Sequence, residues 1–211
     1  MAFQDLSQQM NPNMLVWPGD PQPEFKVSCT FEEGNCRSTL VSFTTHTGTH
    51  VDAFSHIVPE GAPMDQIPLD HFFGTATIID CTGLAPNAEI NIDLVENHPE
   101  IKNASILLFR TGWDKYFNTD AYADGFPAIS VDLAQWMVDH KIKAVGVDCY
   151  SVDPTTSFAM PSHQILMRGD VVIYENLCNL DKIDASTFEF YGLPICFTGL
   201  DASPVRCLAR W

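Results

Sequence analysis

The run His46-Thr-Gly-Thr-His50-Val-Asp52-Ala-Phe-Ser-His56 restricts what this chain can fold into more than any other stretch. Its imidazoles and its carboxylate all fall at even positions, so a straight strand would carry every one of them on one face. Extended chain rises about 3.3 Å per residue, which would hold His46 and His50 roughly 13 Å apart, too far to share an ion. For these groups to meet, the chain must bend. Gly48 supplies the place, because glycine reaches backbone angles that other residues avoid, and one tight turn there brings His46 and His50 together as i, i+4 spacing does on a helix. Imidazole nitrogen with carboxylate oxygen suits a borderline divalent ion such as zinc or manganese, and no cysteine lies near enough in the run to complete a closed structural zinc site. The competing reading is a Thr/His-rich edge strand whose histidines face water.

Around this run the pattern is that of a mixed sheet. Residues 13–25 hold three prolines and a glycine, which forbids a regular helix and predicts an irregular loop carrying an exposed Trp17. Residues 25–49 are rich in Val, Thr, Phe and Ser with a charged, Gly-containing break at 32–35, which predicts two strands and a turn. Short β-branched runs predict further strands at 76–80, 106–110, 144–148 and 171–175. Between two of them, residues 130–140 predict a helix: Ser130 can cap it, Asp132 favours the positive end of its dipole, and Leu133, Trp136, Met137 and His140 share a face. A helix-then-strand unit behind an antiparallel front half gives an α/β chain with a mixed α+β sheet. At 211 residues, 45% of them hydrophobic, one domain over 1–211 is expected.

Charge and composition narrow the function classes. With 27 acidic against 11 basic residues the formal net charge is -16, which repels phosphate backbones and anionic headgroups, so neither nucleic acid nor membrane is an expected partner. Apolar runs are far shorter than a bilayer span. Seven scattered cysteines with no C-x-x-C pair fit a reducing cytoplasm, and Cys81, Cys149 and Cys196, in or beside apolar stretches, read as small core residues. His71, His98 and His140 read as surface or dipole-paired groups, whereas Asp148 and Asp153 flank a strand end as metal-site supports or ordinary caps.

A second segment, Pro161-Ser-His163 through Val-Val-Ile-Tyr-Glu175-Asn, places Glu175 at the end of a strongly apolar strand, where a carboxylate needs a partner. Taken together, these motifs resemble the H-x-G-T-H-x-D-x-P-x-H signature of the cyclase family, which includes bacterial kynurenine formamidases and isatin hydrolases. The resemblance extends to Trp17-Pro-Gly-Asp20, Arg110-Thr-Gly-Trp113, residues 148–154, 176–180 and 199–206. It implies a single-domain swivelling β/β/α-like fold. It also implies that His46, His50 and Asp52 hold one divalent ion and that Asp52, His163 and Glu175 hold a second, with Asp52 and Glu175 bridging. Zinc comes first and manganese second. By the same resemblance His56 is the proton donor and acceptor, Trp17 lines the substrate pocket, and the assembly is a homodimer or homotetramer with a neighbouring chain near the site. One position departs: Phe54 stands where the signature has proline, which bears on the placing of His56 and on the pocket wall. Phe54 could stack on an aromatic substrate or be buried.

The activity expected is metal-dependent hydrolysis of the C–N bond of a small amide, with the ions activating water and His56 passing a proton to the leaving nitrogen. The resemblance implies N-formylkynurenine, giving kynurenine and formate. The alternatives are a cyclic-amide hydrolase of the isatin hydrolase kind, a metal-dependent cyclase or lyase, and a metal-binding member without turnover. No G-x-S-x-G elbow is present, and Thr49 and Ser55 read as structural.

Overall fold

The computed structural model describes residues 1–211, and most of their short β-branched runs line up in one nine-stranded sheet. In chain order the strands are β1 (Phe3–Asp5), β2 (Glu24–Cys29), β3 (Ser38–Ser42), β4 (His50–Asp52), β5 (Phe73–Asp80), β6 (Glu89–Ile90), β7 (Ile106–Arg110), β8 (Ala128–Ile129), β9 (Ala144–Val147), β10 (Val172–Glu175), β11 (Phe188–Tyr191), β12 (Ala202–Pro204) and β13 (Leu208–Arg210). Three helices accompany them: α1 (Phe31–Gly34), α2 (Val131–Asp139) and α3 (Pro161–Arg168). Nine strands form the main sheet in the order β1-β13-β11-β5-β7-β9-β10-β4-β12. Its centre, β5 to β10, is parallel, and antiparallel strands extend it on both sides. The mixed α/β architecture expected from the pattern is therefore the one adopted.

The parallel centre explains the continuous apolar runs. Ile106 to Phe109, Val145, Val147 and Val172 to Tyr174 are all fully buried, as parallel strands covered on both faces require. Helix α2 forms as the pattern demands: the Leu133 N–H donates to the Ser130 side chain at 3.2 Å, and Leu133, Ala134 and Met137 turn into the core. At its far end His140 stacks on Trp136 with ring centroids 3.9 Å apart, so His140 is a capping group. Helix α3 was not legible in advance. It begins with Pro161 at the position where proline costs no hydrogen bond, and buries His163, Leu166 and Met167 at i, i+3 and i+4, too few turns to register as a period.

The expected pair of strands over 25–49 is the β2–β3 hairpin, which stands apart from the main sheet. Its connection is one helical turn, with Cys29 and Cys36 thiols 3.8 Å apart across its base. The hairpin exposes Phe25, Val27, Phe31, Leu40 and Val41. Cys81 and Cys149 are buried as expected, whereas Cys196 is exposed in the irregular segment before β12, where no element packs over it. No helix is long and apolar enough to cross a membrane.

Candidate metal centre

The bend required of the histidine run is present. Gly48 takes φ +68°, a left-handed angle that strains any side-chain-bearing residue, and brings the His46 and His50 rings to 5.0 Å between centroids. From His50 the chain enters β4, an interior strand between β10 and β12, which excludes the water-facing edge strand as a reading. Its register sets the rest. His50 lies opposite Glu175 and Asp52 opposite Ile173, so the alternation of β4 and β10 puts His50, Asp52 and Glu175 on one face. Helix α3 adds His163 from above that face.

The distances show what these groups converge on. Asp52 Oδ1 lies 2.9 Å from His46 Nδ1 and 3.2 Å from His50 Nε2, and Asp52 Oδ2 lies 3.8 Å from His163 Nε2. Glu175 lies 3.5 Å from His50 Nε2 and 3.3 Å from His163 Nε2. Yet neither oxygen of Asp52, which is 1% exposed, nor His50 Nε2 has a partner in hydrogen-bonding geometry. Nitrogen and carboxylate atoms so close without a hydrogen bond are directed at a common point rather than at one another. Around a tetrahedral ion with bonds of about 2.1 Å, neighbouring ligand atoms stand roughly 3.4 Å apart. The spacing and the orphaned atoms both fit a divalent cation, and an unmet buried carboxylate is otherwise costly.

Within the cluster the acids and imidazoles hold one another's charge. Burial alone works to raise Asp52, but the charges of His46 and His50 outweigh it and hold the carboxyl well below its usual range. Burial opposes charging His46 and His163; Asp52 and Asp201 overcome it for His46, Asp153 and Glu175 for His163, and each imidazole is pushed up to about 10. Without an ion, the carboxylates draw protons onto imidazoles that would otherwise be ligands.

Two carboxylates fix the ring orientations. Asp153 accepts from His163 Nδ1 at 2.7 Å and from the backbone N–H groups of Ser162 and His163, leaving Nε2 to face the cluster. Asp153 thus both accepts from the first turn of α3 and orients the His163 ring. Asp148 instead accepts from the Thr111 N–H and hydroxyl and from the Gly112 N–H, so it caps that loop. Asp201, missed as a site residue although it lies within the matched segment 199–206, sits 3.0 Å from His46 Nε2 and turns Nδ1 toward Asp52. Thr45 donates to its other oxygen at 3.1 Å.

His56 closes the group from a 3-10 turn over Phe54–His56, its ring centroid 4.2 Å from that of His46 and 6.2 Å from that of His163. Its nitrogen falls within 4.8 Å of ligand atoms of His46 and Asp52, and a second group of that tightness joins His50, Asp52 and Glu175. His50 Nε2 lies 3.2 Å from Asp52 and 3.5 Å from Glu175, so His50 faces both of the carboxylates that the resemblance implies are bridging. The Phe54 replacement does not displace His56. Ala53 keeps the extended angles that precede proline, φ −84° and ψ 161°, and Phe54 occupies the first position of the turn, which proline tolerates. The Phe54 side chain points away from the site: it is buried, packs edge-on to His71, and lines a different surface hollow. It does not line the cavity above the cluster, because the turn that aims His56 inward aims Phe54 into the core.

Above the cluster opens a cavity of about 530 Å³ lined by His46, His50, His56, His163 and Glu175 at its floor and by Trp17, Phe117 and Tyr150 on its walls. Trp17 stacks on Tyr150 with centroids 5.0 Å apart. Such a volume holds a small aromatic molecule.

Comparison with known proteins agrees with this arrangement. The family model described as "Putative cyclase" matches residues 4–154. The kynurenine formamidase of Salinibacter ruber (strain DSM 13855 / M31) is 33% identical over 214 residues, covering 100% of this chain and 98% of that protein. Among solved structures, an isatin hydrolase bound to the product analogue thioisatinate superposes with a TM-score of 0.87 at 21% identity, over 98% of this chain and 91% of that one. A structure described as a potential metal-dependent hydrolase with cyclase activity gives 0.81 at 27% identity, over 99% and 96%. With the ligand-bearing strands, the matched model and full-length relatives in agreement, this chain belongs to the cyclase family of metal-dependent hydrolases.

Proposed function

We propose that the protein is an arylformamidase of the kynurenine formamidase kind, one domain over residues 1–211, hydrolysing N-formylkynurenine to kynurenine and formate. The observation that carries the reading is Asp52: fully buried, both oxygens without a hydrogen bond, and faced by nitrogens of His46, His50 and His163. Together with His163 and Glu175 these residues would hold two divalent ions, zinc before manganese. Bound there, such ions would supply Lewis acidity toward the amide carbonyl and lower the pKa of a water toward neutrality.

The remaining work falls to the chain itself. Trp17 and Phe117 offer aromatic surface to the aniline ring and exclude water from the floor. Burial lowers His56 below the ordinary imidazole value, and although Asp52 acts against this, His46 and His163 add to it. His56 is thus neutral near pH 7 and able to take a proton from the attacking water and return it to the leaving nitrogen. Asp201 and Asp153 hold His46 and His163 in the orientation that presents one nitrogen to the cluster. The exposed apolar β2–β3 hairpin supports a homodimer or homotetramer, and the free thiols suit a cytoplasmic setting.

The test is metal content per chain together with N-formylkynurenine hydrolysis, for the native protein, Glu175→Gln and His56→Ala. About two ions in the native chain, loss of ions in Glu175→Gln, and retained ions with at least a hundredfold lower kcat in His56→Ala are expected. Ions lost with His56 would make it a ligand instead of a proton carrier. Turnover of a cyclic amide such as isatin with none of the formamide would move the activity to that class, and a native chain that takes up no ion would end the reading.

A further inference from the structure

Outside the ion cluster, the cavity wall carries a second set of polar groups that the hydrolytic chemistry does not use. Trp17-Pro18-Gly19-Asp20 forms a tight turn, with the Asp20 N–H donating to Trp17 O at 2.9 Å and Gly19 at φ +101°, the angle that reserves this turn position for glycine. The turn presents Trp17 and Asp20 to the cavity together. Thr44 donates to Asp20 Oδ2 at 3.1 Å, which fastens the carboxylate and leaves Oδ1 uncommitted. Opposite, Tyr150 also lines the cavity; it is 5% exposed, its ring lies against Trp17, and its hydroxyl is buried with no hydrogen-bond partner. Burial, with the charges of Asp20 and Glu175, raises the phenol above its usual value, so it remains a donor. No lysine or arginine lines the cavity. On this wall, away from the histidines of the floor, an anionic arm would therefore meet the Asp20 carboxylate with no lysine or arginine beside it.

We infer that this wall selects aryl amides whose side arm bears an ammonium group, with Asp20 as the counter-ion and the Tyr150 hydroxyl donating to a neutral oxygen of the arm. The inference rests on the arylformamidase reading and adds to it which end of the substrate is recognised. N-formylkynurenine carries a ketone, an ammonium and a carboxylate on its arm. On this wall the ketone meets Tyr150, the ammonium meets Asp20, and the carboxylate stays at the mouth in water.

The test compares three formamides with the ion-loaded protein: formanilide with no arm charge, N-formylkynurenamine with only the amine, and 4-(2-formamidophenyl)-4-oxobutanoate with only the carboxylate. A charge-assisted contact predicts kcat/KM for the amine at least about tenfold above that for the carboxylate. In Asp20→Asn the amine-to-carboxylate ratio should fall toward one. A carboxylate probe equal to or better than the amine, or a ratio unmoved by Asp20→Asn, overturns the inference. If none of the three is cleaved, the arylformamidase reading fails first. The wall is then judged by binding of the two deformylated anilines, followed by quenching of tryptophan fluorescence in the native and Asp20→Asn proteins, and equal affinities for the amine and the carboxylate overturn it.

Discussion

Asp52 and Asp148 are each 1% exposed and each sits at or just past the end of a strand in the same sheet, yet they are satisfied in different ways. Asp148 accepts three hydrogen bonds from Thr111 and Gly112. Asp52 accepts none, although imidazole nitrogens approach within 2.9 Å. A buried carboxylate with donors supplied by its own loop is part of the scaffold. One faced by imidazole nitrogens, with no hydrogen bond to either oxygen, has the surroundings of a metal ligand. Burial and residue type do not separate the two cases, whereas the direction of the neighbouring lone pairs does.

The largest effect that tests this contrast is the exchange of each carboxyl for an amide. Asp52→Asn should lose ions and, because the ions supply several kcal/mol of transition-state stabilisation, on the order of a thousandfold in kcat/KM. Asp148→Asn should keep its ions and instead lose about 1–3 kcal/mol of stability, since its amide nitrogen would face the Thr111 and Gly112 donors. The pH dependence sharpens the point. Burial outweighs the three hydrogen bonds and pushes Asp148 up to about 6. A carboxyl whose folded pKa lies above its unfolded value near 4 contributes most below pH 4 and loses that contribution as pH rises through 6. The stability gap between the native protein and Asp148→Asn, read by urea unfolding, should therefore be wider at pH 4 than at pH 7. Equal ion content in the two variants would erase the distinction.

A smaller effect is expected one bond further out. Asp153→Asn leaves every ligand in place but loosens His163, and should weaken ion affinity about 10–100-fold in a chelator competition. Affinity unchanged within about twofold would make Asp153 a cap of α3, like Asp148 in its loop. Smallest of all is Phe54→Leu. With the ring packed away from the cavity, stability should drop by about 1–2 kcal/mol while KM for the formamide stays within about twofold. A severalfold rise in KM would put Phe54 back on the substrate wall.

Much of this was legible along the chain. The alternation and the single glycine of residues 46–56 required a bend that Gly48 makes, and the β-branched runs at 76–80, 106–110, 144–148 and 171–175 became the parallel centre of the sheet. Helix α2 followed from its cap and its apolar face. These are local properties: a residue's conformational freedom, a period of two or of 3.6, a cap within three residues. The ligand types, too, could be named from the residues, since imidazole and carboxylate carry their chemistry wherever they are placed.

What only the folded chain decided depends on contacts between distant segments. Asp201 reaches His46 across 155 residues, and although segment 199–206 is matched, nothing in it says which residue it meets. Glu175 lies beside His50 because β10 pairs with β4 in one register, and a slip of one residue would have turned it to the other face. Phe54 turned inward because the turn that carries His56 to the imidazole–carboxylate cluster leaves it no other side. Asp148 and Asp153, alike as strand-end acids in the sequence and both accepting from backbone N–H groups, parted because only Asp153 also met the His163 ring. Local pattern specifies which elements form and which chemistry they bring, and the register and packing of those elements determine which of these groups face one another.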